Sequence, residues 1–372
     1  MQSSSSAFAT AILSGATYAS RAVIYNSGQV VEDTYYGGSY LTLLADDSSV
    51  SYDRSGDSRT SASVSFLMMK DDAETIVDPL SFSEISLHSG IMIGAEIEWI
   101  DLGILCVESI SAVRTGDSVV ISVSCIDRSS RIRNNAWKSP YQVASGLDYY
   151  VGIKNIVTDR ARGFTPDFNL GSNALTTTAL NFGESEDPWA AAMKLAEAVG
   201  AELYFDRQGS VTAMPIPDPL TTAPSLSFKN QESGMLLTPV TRSFSNGDTF
   251  NGVICRGEAP WLLIPVTGEI WDDDPLSNTY RLGPFGEKPK IIGDSLASTD
   301  AQCLAAATAE WNRVKGAVEN ITFETVKDPR LEVGDIIDEL DEILSITGRY
   351  VLETYSYPLG SGQATGLVKR KR

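Results

Sequence analysis

The chain offers few side chains that could carry a reaction. Its one histidine, His88, lies in Ser-Leu-His88-Ser-Gly. Imidazole is the usual general base near neutral pH. At the end of an apolar, strand-like run, however, His88 is expected to play a structural or surface role. Gly293-Asp294-Ser295-Leu296 spells a tetrapeptide used by one group of serine esterases. That chemistry needs a histidine downstream to take the serine proton, and none follows residue 88. Ser295 is therefore expected in a loop ahead of a helix that starts near Thr299. No nucleophile elbow, phosphate-cradling glycine loop or paired-histidine zinc helix is present.

Two acid clusters remain, Asp272-Asp273-Asp274 and Asp338, Glu339, Asp341 and Glu342. Neither has the spacing and mid-loop glycine of a calcium loop, so both read as exposed loops. Cys106, Cys125, Cys255 and Cys303 are far apart and lack metal-site spacing, which points to buried free thiols. No catalytic, cofactor-binding or metal-ligating set is assigned, no cofactor is expected, and the chain reads as a non-enzyme. A glycosidase-type carboxylate pair stays open, because its two members need only meet in space.

The elements around these residues are mostly strands. Runs rich in Val, Ile, Ser, Thr and Tyr recur at Arg21 to Tyr25, Tyr40 to Leu44, Thr60 to Met68, Ile85 to Leu87, Ile97 to Trp99, Ile104 to Ile110 and Val119 to Ile126. Turn clusters such as Thr115-Gly116-Asp117 separate them, as in a small barrel or sandwich. A short helix is expected over Ala7 to Leu13. Between Pro140 and Pro217 the period changes. Tyr149, Ile153, Ile156 and Val157 form one helical stripe. Asp187 and Pro188 start a second helix with Trp189, Met193, Ala196 and Val199 on one face, and Gly200 closes it. A hairpin follows, from Ala201 to Met214 around Asp206 to Gly209. Strands return at Gly252 to Cys255, Leu262 to Val266, Val318 to Thr325, Asp335 to Glu339 and Tyr350 to Tyr357. One helix interrupts them, marked by Thr299 and Gln302 in capping-box spacing, an apolar face of Leu304, Ala307, Trp311 and Val314, and Gly316. The fold class is mainly β (α+β): two related small β-barrel domains, 1–139 and 236–372, flank an α+β insert, 140–235, with a few short helices.

At 372 residues the chain is long enough for two or three cores. Forty-eight acids against 29 bases leave a formal charge of −19, which opposes tight binding to nucleic acid or to anionic lipid. The one basic run, Lys369 to Arg372, reads as a solvated tail. The apolar stretch Ala7 to Ala16 lacks the flanking charges of a signal peptide, and no run is long enough to span a bilayer.

Several segments, in order, resemble the baseplate or tail-tip hub proteins of tailed bacteriophages, of the long-tailed actinobacterial-phage type. In the first part these are Val50-Ser51-Tyr52-Asp53-Arg54 with Arg59 and Thr60 to Leu67, Asp101-Leu102-Gly103-Ile104-Leu105, Val119 to Cys125, and Ile126-Asp127-Arg128-Ser129. In the insert they are Ala196 to Asp206 with Gly209, running on to Pro215 and Pro217. In the last part they are Phe250 to Glu258, Gly283-Pro284-Phe285-Gly286 with the helix to Trp311, and Asp328 to Asp335. The resemblance spans roughly residues 20 to 355 and includes no lysozyme-like extension. It implies a homotrimer in which two tube-like β-barrels per chain make a pseudo-sixfold ring. Such a ring would join a sixfold tail tube to a threefold tip and surround the channel for DNA and the tape-measure protein. The implied partners are further copies of the chain, the distal tail or tail-tube protein, the tape-measure protein, and tip or fibre proteins. DNA would only pass through, with no membrane insertion. The implied location is the virion tail tip or baseplate, after synthesis in the host cytoplasm. Trp137, Trp261 and Trp271 are candidate interface anchors, with core the favoured reading for each because large aromatics are mostly buried. The alternatives are a peripheral receptor- or glycan-binding tail protein and a carboxylate-pair cell-wall glycan hydrolase.

Overall fold

The computed structural model describes residues 1–36, 40–68, 77–80, 82–171, 179–217, 222–229, 236–244, 247, 249–257, 266–294, 299–314, 318–341, 344 and 346–371. The fold is mainly β with short helices, as the alternation predicts. It divides into two compact units, Met1–Val240 with Thr322–Val368 and Thr241–Ile321 with Lys369–Arg372.

In the first unit, strand Thr60–Met68 alternates small polar and apolar residues, so Ala62, Val64 and Phe66 fall on one buried face. Strand Ser118–Asp127 pairs with it antiparallel and sets Cys125, Val123 and Ile121 opposite those three. Such cross-strand apolar pairs fix the register, because a one-residue slip would turn every one of them to the other face. The sheet continues through Glu96–Thr115, Glu84–Ile93 and Tyr18–Asn26 to Gln29–Asp33. Its tight hairpins turn at Ser27-Gly28 and Thr115-Gly116-Asp117, where Ser27, Gly28 and Gly116 adopt positive φ.

Ile97–Trp99 and Ile104–Ile110, read from sequence as two strands, are parts of one strand, Glu96–Thr115. Its pairing with Glu84–Ile93 shifts register between Leu87 and His88, opposite Gly103 at φ +152, and its pairing with Ser118–Asp127 shifts between Val107 and Ser109. Such irregularities bend a strand without ending it, so the punctuation at Asp101-Leu102-Gly103 mimicked a break. The chain returns late to this sheet. Strand Ile346–Pro358 pairs with Ser49–Asp53, setting Tyr355 opposite Tyr52 and Tyr357 opposite Val50.

The segment after Asp127 builds its own core around helices Tyr149–Arg160 and Pro188–Glu197. Asp187 caps the second helix, accepting from the Trp189 and Ala190 amides at 2.8 and 3.3 Å. The buried face differs from the expected stripe. Ala191, Ala192 and Leu195 join Trp189 and Ala196, while Met193 and Val199 are half-buried. The hairpin Ala201–Phe205 and Val211–Pro215 packs beneath, with Phe205 stacked on Trp189 at 5.1 Å between ring centroids.

In the second unit, strand Gly252–Gly257 runs between antiparallel Thr267–Trp271 and parallel Pro289–Asp294. Helix Asp300–Val314 covers this small sheet, with Cys303 and Ala307 buried. The Gln302 amide donates to Thr299 Oγ1 at 3.3 Å, the expected cap. Leu304, placed on the apolar face by sequence, is instead 46% exposed, because Cys303 takes the inward position. Gly268 permits the close approach, since a Cβ there would lie 2.2 Å from the Leu304 backbone nitrogen. Residues Leu262 to Ile264, Pro265 and Gly316 lie outside the described residues. Lys369 to Lys371, expected as a solvated tail, belong to strand Ala364–Lys371, because the alternating run from Ala364 carries the chain on into a ladder.

Candidate functional site

The densest polar constellation lies in the first unit, around Asp328-Pro329-Arg330-Leu331-Glu332-Val333-Gly334-Asp335. This loop ties itself together first. Arg330 donates to Asp328 from Nε at 2.9 Å and from Nη2 at 2.7 Å, and both residues are buried. The hydrogen-bonded Asp328 carboxylate holds the Arg330 guanidinium above the ordinary arginine range. The Asp328 amide donates to the Tyr355 hydroxyl at 3.0 Å.

Two arginines from distant parts of the chain then clamp the loop. Arg207, in the turn between the insert's hairpin strands, is only 4% exposed. It donates to the carbonyls of Pro329 and Leu331, reaches the Asp101 carbonyl at 3.3 Å, and lies over the Tyr52 ring at 4.5 Å. Arg59 donates to the Val333 carbonyl and stacks on Tyr204 at 3.7 Å. Burial pushes the Arg59 guanidinium down, and Glu202, 3.9 Å away, does not offset it. Beside it, Arg54 pairs with Glu202 and Glu353. Burial opposes the Arg54 charge, yet these two carboxylates more than offset it and raise the group above its ordinary value. The cavity next to them, about 20 Å³, holds one water at most.

A second buried cluster joins the sheet to the insert. Glu84 accepts from Arg128 at 2.9 and 2.8 Å and lies 3.1 Å from Arg131. Asp127, fully buried, accepts from the Thr60 and Ser129 amides at 3.0 Å each, and burial raises its carboxyl above the usual range. These contacts fasten structure and leave no free reactive group.

The residues singled out by sequence fall elsewhere. His88 sits in mid-strand rather than at a strand end. It lies between Ser86, 3.1 Å from Nε2, and Asp101, 2.8 Å from Nδ1. The hydrogen bond from His88 lowers the Asp101 carboxyl. The order Ser, His, Asp matches an acyl-transfer relay, but Ser86 is 5% exposed and lines neither the cavity beside Arg54 nor the larger one beside Lys327. All four cysteines are buried free thiols, as expected. Ser295 and Glu342 lie outside the described residues. The Asp272 carboxylate is occupied by Ser277 and Thr279 hydroxyls at 2.5 and 2.6 Å, and Asp273 pairs with Arg281 at 2.6 Å. Among the described residues no group of three or more His, Cys, Asp or Glu is placed to hold a metal.

Trp137 is core, stacked on Tyr141 and Phe182 at 4.8 and 5.7 Å. Trp271 is half-buried against Gly252, and Trp261 lies outside the described residues. A solvent-facing aromatic group appears instead at the sheet edge beside Gln29–Asp33. Tyr35 packs 5.0 Å from both Tyr36 and Trp99, and Arg21 lies over Tyr36 at 4.7 Å. Sequence reasoning missed Arg207 and this edge, because turn and hairpin composition does not say which polar tips become buried or which rings meet.

The fold is that of phage tail proteins. It is similar to the tail protein from Neisseria meningitidis MC58 at 13% identity and a TM-score of 0.62, over 94% of this chain and 96% of that one. It is likewise similar to the 43 kDa tail protein of prophage MuSo2 from Shewanella oneidensis, at 14% identity and a TM-score of 0.61, over 94% and 98%. The prophage tail protein gp18 from Listeria monocytogenes EGD-e matches at 9% identity and a TM-score of 0.55, over 94% of both chains. No protein-family model and no curated protein matches the chain.

Proposed function

We propose that the chain is a structural hub subunit at the distal end of a phage tail, without catalysis of its own. The observation that carries this reading is the fold shared with tail proteins over 94% of the chain. Three copies form a pseudo-sixfold ring from tandem tube-like domains, 1–139 and 236–372, around the insert 140–235. The ring joins the sixfold tube to the threefold tip and contacts the distal tail or tube protein, the tape-measure protein, and tip or fibre proteins. DNA passes through without adhering, which a chain of net charge −19 favours. The buried ion pairs and arginine clamps support a load-resisting scaffold.

Negative-stain electron microscopy of the protein at micromolar concentration tests this. Threefold rings with an open centre are expected, whereas fibres, or compact monomers that depolymerise cell-wall glycan, overturn it.

A further inference from the structure

Lys327 is a buried cation of the first unit whose side chain fastens nothing in the arginine-clamped loop, and it stands at the wall of a cavity. The cavity measures about 710 Å³, the size of a small-molecule site. Its wall includes Ala16, Tyr18, Ser20, Leu237, Lys327 and Gln363. The Lys327 side chain lies over the Tyr18 ring at 4.3 Å. Its Nζ donates to the Gly360 carbonyl and reaches the Leu359 carbonyl at 3.5 Å. Two carbonyls suit an amine as well as an ammonium, because a neutral –NH₂ still has two hydrogens to donate and gains a free lone pair.

We propose that Lys327 is a covalent modification site, an amine nucleophile that takes small carbonyl electrophiles, aldehydes above all, from this cavity. Burial pushes the ammonium down from the ordinary lysine value to about 8, against the pull of Asp46. The lone pair of Nζ adds to the aldehyde carbon and a C–N bond forms. The carbonyl oxygen then collects two protons and leaves as water, giving an imine with no change of oxidation state.

The test treats the full chain with pyridoxal and cyanoborohydride at pH 7.5 and maps reduced adducts by peptide mass spectrometry. Lys327 is expected to label about ten times faster than the exposed Lys138, Lys154 and Lys194, the gain in neutral amine being partly offset by lower basicity. Its rate should level off above about pH 8 while theirs keep rising. Ala16→Trp, which fills the cavity, should suppress the Lys327 adduct alone, and Lys327→Arg should abolish it. Labelling of wild-type Lys327 no faster than those three lysines, in protein shown folded by circular dichroism, overturns the proposal whatever the variants do.

Discussion

Replacing Arg207 with methionine keeps most of the aliphatic bulk and removes the guanidinium that clamps the 328–335 loop. Three carbonyls, on Asp101, Pro329 and Leu331, lose their charged donor, and the Tyr52 ring loses its cation. Each hydrogen bond from a charged group is worth about 1.5–3 kcal/mol. The three are not additive, since one nitrogen serves both Asp101 and Pro329 and water can reach part of the loop. A loss of about 4 kcal/mol follows, within the roughly 3–5 kcal/mol seen when one side of a buried charged contact is removed. For a unit of this size that amounts to a fall in Tm of about 10 °C. Arg207→Lys retains the charge but cannot fork to separate acceptors, so it should recover no more than about half of the loss. Urea unfolding followed by circular dichroism gives the energies, and hydrogen exchange reports the loop. Exchange should accelerate at residues 331–335 well before global unfolding. A loss below about 1 kcal/mol for Arg207→Met, with loop exchange unchanged, would refute the clamp.

In the second unit, Gly268→Ala drives a Cβ into the backbone of Cys303 and Leu304 at 2.2–2.6 Å, and neither atom is a flexible side-chain tip. A destabilisation of about 2–4 kcal/mol is expected, read as a lower urea midpoint, while Gly293→Ala, with open space around it, should cost far less. Acid should weaken the fold through carboxyls held below their ordinary value. His88 does this to Asp101, and at Asp272 the Ser277 and Thr279 hydroxyls outweigh burial. Folded values below the unfolded one mean stability that is present above about pH 4 and is lost as pH falls further. Urea midpoints measured from pH 6 down to pH 3 should therefore fall, and fall less in Asp272→Asn.

The elements most legible in the sequence were those whose signals are local. Asp187-Pro188 announced a helix start, Thr299 with Gln302 announced another, and Asp206 to Gly209 announced a hairpin; each depends only on bonds within a few residues. The errors arose where distant partners decide. The strand Glu96–Thr115 looked broken at Gly103 because a register shift and a turn use the same residues. Leu304 and Cys303 exchange places on their helix because Gly268, thirty-five positions earlier, decides which side the helix presses down. The clamp was half visible, since Arg59 and Asp328 to Asp335 belong to segments with hub resemblance. Arg207 was not, because Asp-Arg-Gln-Gly reads as an exposed turn and only the meeting of hairpin and loop buries it.

The same clamps bear on the charge of the surface. Arg207, Arg59 and Lys327 direct their cations mainly at neutral backbone carbonyls, with Glu332 3.7 Å from Arg207 and Glu202 3.9 Å from Arg59. Among the described residues the buried acids are more numerous, namely Glu32, Glu84, Asp127, Glu319, Asp328, Asp335 and Asp341. Among the described residues burial therefore withdraws more acid than base from the surface, although over the whole chain acids still exceed bases by 19. In the proposed ring that excess favours walls that repel the phosphate backbone, and a hub assembled with its lumen lined by Lys and Arg would contradict that part of the reading.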